Sequence, residues 1–345
     1  MTQEFELAAI RLFLGSVTLA ALAACGGGGG DSAPTTGGTP TPSTVLKLTS
    51  SNYTAAAQEA MAAANSVQDA AAFSEVITGA AVSGQGLPLA FVRAQVPKLQ
   101  EWFRTAPQQV TGAEYSQTES CPAGGTLAVT LRDVNGNQSI DPGDSATIVG
   151  ARCYFEGSMV NGTITMVVNS MSGNLNSDVY RLNLGMVFSN LVATNGSNSD
   201  TLNGGLTLAI QSNGFNNSVT TLSAPNSLTM AGNYGGVAYS RVLSGYSSTI
   251  TISPTASGFS ESTIYNGTLS SNSFNAQTVV ASTVTPFVRT NLLGYAASGQ
   301  VVLTGADGSR VRITAQNVST VQIELDADGN GVYELATTRA WSSLL

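Results

Sequence analysis

The sequence contains no histidine, few charged residues and almost no lysine, and each shortage excludes a class of function. Without histidine the chain lacks the commonest general base, so it cannot build a Ser-His or Cys-His nucleophile. Charged residues make up 10% of the chain, the net charge is −8, and no lysine follows Lys98. Because binding a phosphate backbone requires clustered Lys and Arg, we expect no nucleic-acid partner.

Catalytic motifs are lacking as well. The sequence has no phosphate-binding glycine loop ending in lysine, no nucleophile elbow, no Ser-x-x-Lys pair and no zinc ligand set. Glycoside hydrolysis requires only two acids about 5–10 Å apart. The carboxylate pairs that stay open for it are Glu156 with Asp178 and Glu261 with Glu324. Nothing in their spacing distinguishes them from surface acids, so we predict that the chain is not an enzyme.

The N-terminal residues form a short apolar run that ends at a cysteine. Residues 12–24 read LFLGSVTLAALAA, which is shorter than the roughly 20 residues that a membrane-spanning helix needs. The run ends in Leu22-Ala23-Ala24-Cys25, and this motif resembles the lipobox of bacterial lipoproteins. The resemblance implies that residues 1–24 are a signal peptide and that the Cys25 thiol accepts diacylglycerol. The alternative is a short buried helix with a chance cysteine.

The composition of residues 25–46 predicts a flexible tether. Residues 26–30 are all glycine, and residues 31–44 are rich in Ser, Thr, Pro and Gly, a composition that cannot bury enough apolar surface to fold. Gly26 after the cysteine, in place of Asp, resembles lipoproteins that are sorted to the outer membrane. We therefore expect a domain held on the outer membrane of a bacterial envelope by lipid on Cys25, on either the periplasmic or the surface face.

Residues 47–110 are the predicted helical segment. Residues 53–73 are rich in alanine and have high helix propensity. A second helix, which Pro97 should break or start, has Trp102 beside apolar residues at helical spacing, namely Val92, Val96, Leu99 and Phe103. This helix could lie on the membrane near the anchor or cover one face or end of the β domain. The small number of cations favours the second interpretation.

Residues 111–345 predict an antiparallel β domain. Apolar residues alternate with polar ones, so one face of each strand should be buried. The clearest alternating residues are Tyr180, Leu182, Leu184, Met186 and Phe188; Leu206, Leu208 and Ile210; and Ile164, Met166 and Val168. Five Asn-Gly pairs predict tight hairpin turns: Asn161-Gly162, Asn195-Gly196, Asn203-Gly204, Asn213-Gly214 and Asn266-Gly267. We expect a mainly β fold, a large antiparallel meander that forms a sandwich or an open curved sheet with the helical segment on one face or end.

The cysteine count predicts one disulfide. The three cysteines are Cys25, Cys121 and Cys153, and lipidation of Cys25 would leave the other two as one pair, as an oxidising compartment favours. We expect the Cys121–Cys153 bridge to be structural. A reactive thiol requires nearby cations that lower its pKa, and Arg152 is the only cationic residue beside either cysteine in the sequence.

Two Asp-rich segments are candidate calcium sites. Segment 133–144 resembles the calcium loop of EF-hand and dockerin proteins, because oxygen-bearing side chains alternate along it and a hard cation takes six to eight oxygens. Gln138 stands where that loop has glycine, and the flanking segments are predicted strands rather than helices. The alternative is an Asx-rich turn that binds its own backbone. The candidate ligands are Asp133, Asn135, Asn137, Ser139, Asp141 and Asp144.

The second segment, residues 326–334, lies between two predicted strands. It resembles the Asp-rich hairpin tip of bacterial extracellular β domains, with glycine in the sixth position and Thr337, instead of an acid, in the twelfth. We predict a hairpin turn, with calcium as the alternative. The candidate ligands are Asp326, Asp328, Asn330 and Glu334.

The order of these features is similar to that of β-rich proteobacterial envelope lipoproteins of uncharacterised function. The shared features are Leu48-Thr49-Ser50-Ser51-Asn52 before the first helix, Cys121-Pro122-Ala123-Gly124-Gly125 before the Asp-Asn loop, Gly143-Asp144, the second cysteine, and a closing Asp-Gly-Asn-Gly hairpin followed by Trp341. The resemblance implies no known activity.

We therefore predict a non-enzymatic structural, adhesive or binding domain. One alternative is a carrier of lipid or another apolar ligand in a half-barrel-like cavity lined by strand residues such as Phe188, Leu208 and Ile210. The other is a hydrolase of envelope glycans. The expected partners are the membrane, through Cys25, and an envelope protein, a glycan or an apolar ligand. The only candidate cofactor is calcium.

Overall fold

A single antiparallel sheet dominates the computed structural model, which describes residues 44–71, 87–107, 112–175, 177–214, 216–290 and 294–344. Within these ranges fourteen strands pair in sequence order, so each strand is hydrogen-bonded to its neighbours in the chain. The predicted antiparallel meander is confirmed, and of the two expected architectures the structure has the open sheet. Cys25, the predicted signal peptide and nearly all of the predicted tether lie outside the described residues.

The strands are short at the two edges of the sheet and long in its middle. They are β1 Glu114–Ser120, β2 Thr126–Arg132, β3 Ser145–Phe155, β4 Ser158–Gly173, β5 Val179–Asn195, β6 Asn198–Asn213, β7 Ser218–Tyr234, β8 Val237–Thr255, β9 Gly258–Ser271, β10 Thr278–Thr290, β11 Ser298–Thr304, β12 Arg310–Ala315, β13 Thr320–Asp326 and β14 Leu335–Ala340. The predicted alternation is confirmed, because the apolar set from Tyr180 to Phe188 is at most 5% exposed. These side chains form one buried face.

Three α-helices in the described ranges pack on that buried face. They are α1 Tyr53–Ala71, α2 Leu87–Gln95 and α3 Lys98–Thr105. Pro97 separates α2 from α3, as predicted, and the apolar residues at helical spacing are all buried: Val92, Val96, Leu99 and Phe103. No helix in the described part of the chain is long and apolar enough to cross a membrane.

The sheet curves around α1. This helix contacts β7, β8 and β9 as well as β12 and β13, although a flat sheet would hold β7 and β13 nearly 30 Å apart. Between residues 53 and 67 only Ala55 and Gln58 are exposed. The many alanines therefore serve a packing role, since small side chains let the helix approach strands on several sides.

Three of the five predicted Asn-Gly hairpins are wrong. Asn195-Gly196 and Asn213-Gly214 do connect strands, but Asn161-Gly162, Asn203-Gly204 and Asn266-Gly267 lie inside β4, β6 and β9. At each of the three, the asparagine Oδ1 accepts a hydrogen bond from a backbone N–H of an adjacent strand. The donors are Arg152, at 2.8 Å, Asn190, at 2.7 Å, and Thr283, at 3.1 Å.

These pairs mark β-bulges, which bend a strand and increase its twist. Register shifts occur in every pairing from β3–β4 to β8–β9. The shifts lie next to one another from strand to strand. The paired residues that border them are Gly150–Gly162, Phe188–Gly204, Gly204–Leu228, Ser227–Ser244 and Ser247–Asn266. We call this continuous line the crease, and we attribute the curvature of the sheet to it.

The two ends of the sheet differ in what attaches to them. Because strand direction alternates, all turns that follow odd-numbered strands lie at one end, here called the lower end, and the others lie at the upper end. Residues 44–48 attach at the lower end. Leu46 N donates to Thr278 O at 2.8 Å, and Lys47 Nζ lies 2.9 Å from Asp307 Oδ2.

The predicted disulfide is confirmed and also lies near the lower end. Cys121, in the β1–β2 turn, is bonded to Cys153 in β3, with 5.4 Å between the Cα atoms and 32 positions between the two residues. Both cysteines are buried. The bridge therefore fastens the edge hairpin to the rest of the sheet.

Candidate functional site

A cleft of about 340 Å³ lies at the lower end, between α1, α2 and strands β6 to β8. Its floor is polar and is formed by Glu59, Asp200, Tyr239 and Arg241. Its apolar wall includes Leu89, Leu202 and Met230, and its rim carries exposed side chains of the β7–β8 hairpin. The volume is at the lower end of the range of small-molecule sites, roughly 300–1,000 Å³.

An ion pair joins helix and sheet at the floor of the cleft. Arg241 Nε lies 2.8 Å from Glu59 Oε2, and the two side chains are only 13% and 15% exposed. Glu59 also accepts from Ser271 Oγ at 3.0 Å and Ser273 Oγ at 3.1 Å. Burial acts to raise the pKa of Glu59, but its hydrogen bonds and the Arg241 charge outweigh that effect and lower the pKa. Glu59 is therefore an anion at neutral pH and a poor proton donor.

A tyrosine and an aspartate complete the polar floor. Tyr239 donates its hydroxyl proton to Asp200 Oδ1 at 2.6 Å, and the Arg241 guanidinium carbon lies 4.9 Å from the centre of the Tyr239 ring. Burial, with a further contribution from Asp200, raises the pKa of Tyr239, so its hydroxyl stays protonated. The arrangement can hold a polar ligand, with Glu59 as an anion and Tyr239 as a neutral hydroxyl.

A smaller cleft of about 80 Å³ lies near the upper end, between α1 and strands β9 and β10. Aromatic side chains line it, including Tyr265, Phe287 and Trp341. Arg289 there binds Glu261 through two hydrogen bonds of 2.7 and 2.8 Å. Its volume is well below the range of roughly 300–1,000 Å³ that is typical of small-molecule sites, so the larger cleft is the stronger candidate site.

The carboxylate pairs considered for glycan hydrolysis are not brought together. Glu156 follows β3 at the lower end, whereas Asp178 precedes β5 at the upper end. Glu261 points to the buried face of the sheet and Glu324 to the other face, as the burial of their strand neighbours shows. Glu324 is bound to Arg312 at 2.7 and 2.8 Å. Neither pair can flank one glycosidic bond.

The strand residues considered for an apolar carrier lie in the packed core. Phe188, Leu208 and Ile210 are at most 4% exposed. None of them lines either of the two clefts.

The two Asp-rich segments fold into loops with the same hydrogen-bond pattern. In the upper loop, between β2 and β3, Asp133 Oδ1 accepts from Gly136 N at 2.7 Å and Oδ2 accepts from Gln138 N at 2.7 Å. In the lower loop, between β13 and β14, Asp326 accepts in the same way from Gly329 N at 2.8 Å and Gly331 N at 3.0 Å. Each loop therefore folds around its first aspartate.

The similarity extends along both loops. Counting from the first aspartate of each loop, the side chain at position 3 accepts from the backbone N–H at position 5, and the side chain at position 5 accepts from the N–H at position 7. In the upper loop Asn135 accepts from Asn137 and Asn137 from Ser139. In the lower loop Asp328 accepts from Asn330 and Asn330 from Val332. Gln138 has a φ of +64° in the position where calcium loops have glycine. Gln138 thus takes the left-handed conformation that favours glycine at this position.

Only the lower loop gathers its carboxylates, as far as the described residues go. Asp326, Asp328 and Glu334 each place an oxygen within 4.8 Å of the others. In the upper loop, Asp141 Oδ2 instead accepts from Asn135 Nδ2 at 2.9 Å and Asn137 Nδ2 at 2.6 Å. Burial raises the pKa of Asp144, although N–H donors of Val134 and Asp141 counteract the rise. The lower loop is the better candidate cation site.

Comparison with known proteins adds no assignment. No protein-family profile, curated protein or solved structure matches the chain. The candidate sites therefore have to be judged by their own geometry.

Sequence reasoning missed the large cleft, because its polar residues are far apart in the chain. Glu59 and Arg241 are 182 positions apart, and no motif links them. One feature of the sequence did point to the cleft. Strands β4 to β8 contain only three charged residues, Arg181, Asp200 and Arg241, and the last two line the cleft.

Proposed function

We propose that this chain is a lipid-anchored protein of the bacterial outer membrane whose β domain is a non-enzymatic binding module, with the 340 Å³ cleft as its binding site. The observation that carries the proposal is the preformed polar floor, in which an ion pair that is mostly buried is held by both helix and sheet. Such a floor gives a ligand fixed partners at little further ordering cost. The anchor itself rests on the lipobox at Cys25.

The anchor can be tested by intact-mass analysis and fractionation of the native protein, with and without globomycin. We expect a mature chain that begins at Cys25, carries acyl groups and sediments with the outer membrane. In the Cys25→Ser variant the chain should no longer be acylated. Native protein that retains residues 1–24, or an unmodified Cys25, would contradict the proposed anchor.

A second candidate function is calcium binding by the lower loop. The observation that favours it is the group of three carboxylates within 4.8 Å, in a loop that folds around the side chain of Asp326. Extracellular calcium modules typically bind with dissociation constants of about 10⁻⁴–10⁻³ M. Calcium at ten times the dissociation constant would then stabilise the fold by about 1.4 kcal/mol.

Calorimetric titration of the full chain with calcium, after treatment with EDTA, tests this candidate. We expect Asp326→Asn to weaken binding, whereas Asp178→Asn, which removes an exposed carboxylate outside both loops, should leave it unchanged. The absence of both a heat signal and a rise in unfolding temperature at millimolar calcium would rule it out.

A further inference from the structure

The large cleft holds polar atoms of both kinds that have no hydrogen-bond partner among the described residues. Arg241 is bound through Nε alone, which leaves its two Nη groups as donors. Asp200 accepts from Tyr239 at Oδ1, and no described residue donates to Oδ2, which remains an acceptor. A ligand in the cleft would therefore meet a fixed donor and a fixed acceptor.

Several ligand classes fit these atoms poorly. An apolar ligand would remove Arg241 and Asp200 from water without giving them new hydrogen bonds. An anion would face two carboxylates, those of Glu59 and Asp200. A cation would be attracted by Asp200 but could not accept hydrogen bonds from the Nη groups of Arg241. A neutral ligand that both donates and accepts hydrogen bonds can bind both the Arg241 Nη groups and Asp200 Oδ2, without repulsion between like charges.

The rest of the cleft requires apolar surface on the same ligand. Leu202 and Met230 line the wall and are only 2% and 6% exposed. Tyr234 and Val237, at the rim, are 55% and 70% exposed. An aromatic ring with one free face can cover an apolar ligand surface. A sugar ring combines these properties, because its hydroxyl groups both donate and accept while its C–H faces are apolar.

We propose that the cleft binds a neutral saccharide of about disaccharide size. Its hydroxyl groups would accept from Arg241 and donate to Asp200, and a sugar face would pack on Tyr234. The inference rests on the proposed function, namely that this cleft is a ligand site. It adds the chemical class of the ligand.

Saturation-transfer NMR on the full chain in lipid nanodiscs tests the proposal, with protein-free nanodiscs as the blank. The saccharide probes are maltose, cellobiose, lactose and N,N′-diacetylchitobiose. Choline serves as the cationic probe, and 8-anilinonaphthalene-1-sulfonate as the apolar anionic probe. The probes therefore separate a saccharide site from a site of another class.

Two variants and two matched controls locate the binding. Asp200→Asn keeps an acceptor for Tyr239 but removes the charge, and it should weaken disaccharide binding at least about tenfold. Tyr234→Ala should weaken it as well. The controls are Asp178→Asn and Tyr154→Ala, which change an exposed aspartate and a tyrosine of similar exposure outside the cleft. All four variants should show wild-type thermal unfolding.

The outcomes separate the two proposals. Binding of at least one disaccharide that depends on Asp200 and Tyr234 supports both. If choline or the apolar anion binds with that dependence and no disaccharide does, the saccharide inference is wrong and the cleft remains a ligand site. If no probe binds, or if binding ignores both cleft variants, both proposals are wrong.

Discussion

Because of the crease, we predict that two glycine substitutions in similar sequence contexts will reduce the free energy of unfolding by very different amounts. Gly162 and Gly196 both follow asparagine, and both have positive φ, +112° and +59°. A Cβ atom on Gly162 would lie 2.1 Å from the carbonyl oxygen of Asn190, whereas one on Gly196 would meet nothing within 4 Å. We therefore expect Gly162→Ala to destabilise the fold far more than Gly196→Ala.

The magnitudes follow from the geometry. At Gly196, alanine pays only for a left-handed backbone, about 1–2 kcal/mol. At Gly162 the backbone conformation alone costs about 1–3 kcal/mol. The contact with Asn190 must also lengthen from 2.1 Å to about 3.5 Å, which forces β4 and β5 apart at a bulge. We expect a total of about 4 kcal/mol or more for Gly162→Ala.

Urea unfolding of the full chain, followed by far-ultraviolet circular dichroism, measures both free energies. The unfolding midpoint should fall slightly for Gly196→Ala and steeply for Gly162→Ala, with similar slopes for both variants. Equal losses would refute the reasoning, because they would mean that β4 and β5 do not approach each other closely at the crease.

Three further predictions concern the ion pair, the disulfide and the core. Because the pKa of Glu59 is lowered, its ionised form stabilises the fold above about pH 4.5, and this contribution disappears as the pH falls through the lowered pKa. Glu59→Gln should therefore lose more stability at pH 7 than at pH 3, whereas Glu101→Gln, an exposed control, should not differ from wild type in urea unfolding at either pH. Replacing Cys153 with serine should cost about 3–4 kcal/mol, and reduction of the wild-type protein should lower its unfolding temperature correspondingly. Trp341→Ala should cost about 3–5 kcal/mol in the same assay, because this side chain is only 2% exposed; a loss below 1 kcal/mol would show that its packing is not needed.

Strand positions and the buried face were predictable, because the alternation in this chain is regular. Between Tyr180 and Phe188, every second side chain is apolar. Since side chains in a strand point alternately to the two faces of the sheet, this pattern alone predicts which face is buried. The helix positions followed for the same reason, since Leu99 and Phe103 lie one turn apart. Local periodicity therefore determined the element types and the buried face.

Strand lengths and curvature were not predictable from the same patterns. An Asn-Gly pair tolerates positive φ, but a hairpin turn and a bulge both require that conformation. At Asn203-Gly204, the side chain of Asn203 binds the backbone of Asn190 in the adjacent strand, and the local sequence holds no trace of that partner. Only the pairing register decides between the two, and register is a property of the whole sheet.

The candidate sites show the same division between local and long-range information. The Asp-rich loops were found from sequence because each loop closes on its own backbone, as Asp326 does on Gly329 and Gly331. The cleft was missed because Glu59, Asp200 and Arg241 meet only after the sheet has curved around α1.

Scarcity of charge is what links the fold to the cleft. The central strands bury apolar side chains on one face and expose Ser, Thr and Asn on the other, so a charged residue on these strands contributes little to ordinary packing. Burying Arg241 next to α1 costs desolvation free energy, which the Glu59 carboxylate offsets only if helix and strand are held in a fixed position. Asp200 adds a second charge in the same place, next to Tyr239. An apolar residue there would pack without that desolvation cost. Strands β4 to β8 carry only one other charged residue, Arg181, so the placement of Arg241 and Asp200 against this cost is what the proposed ligand site would require.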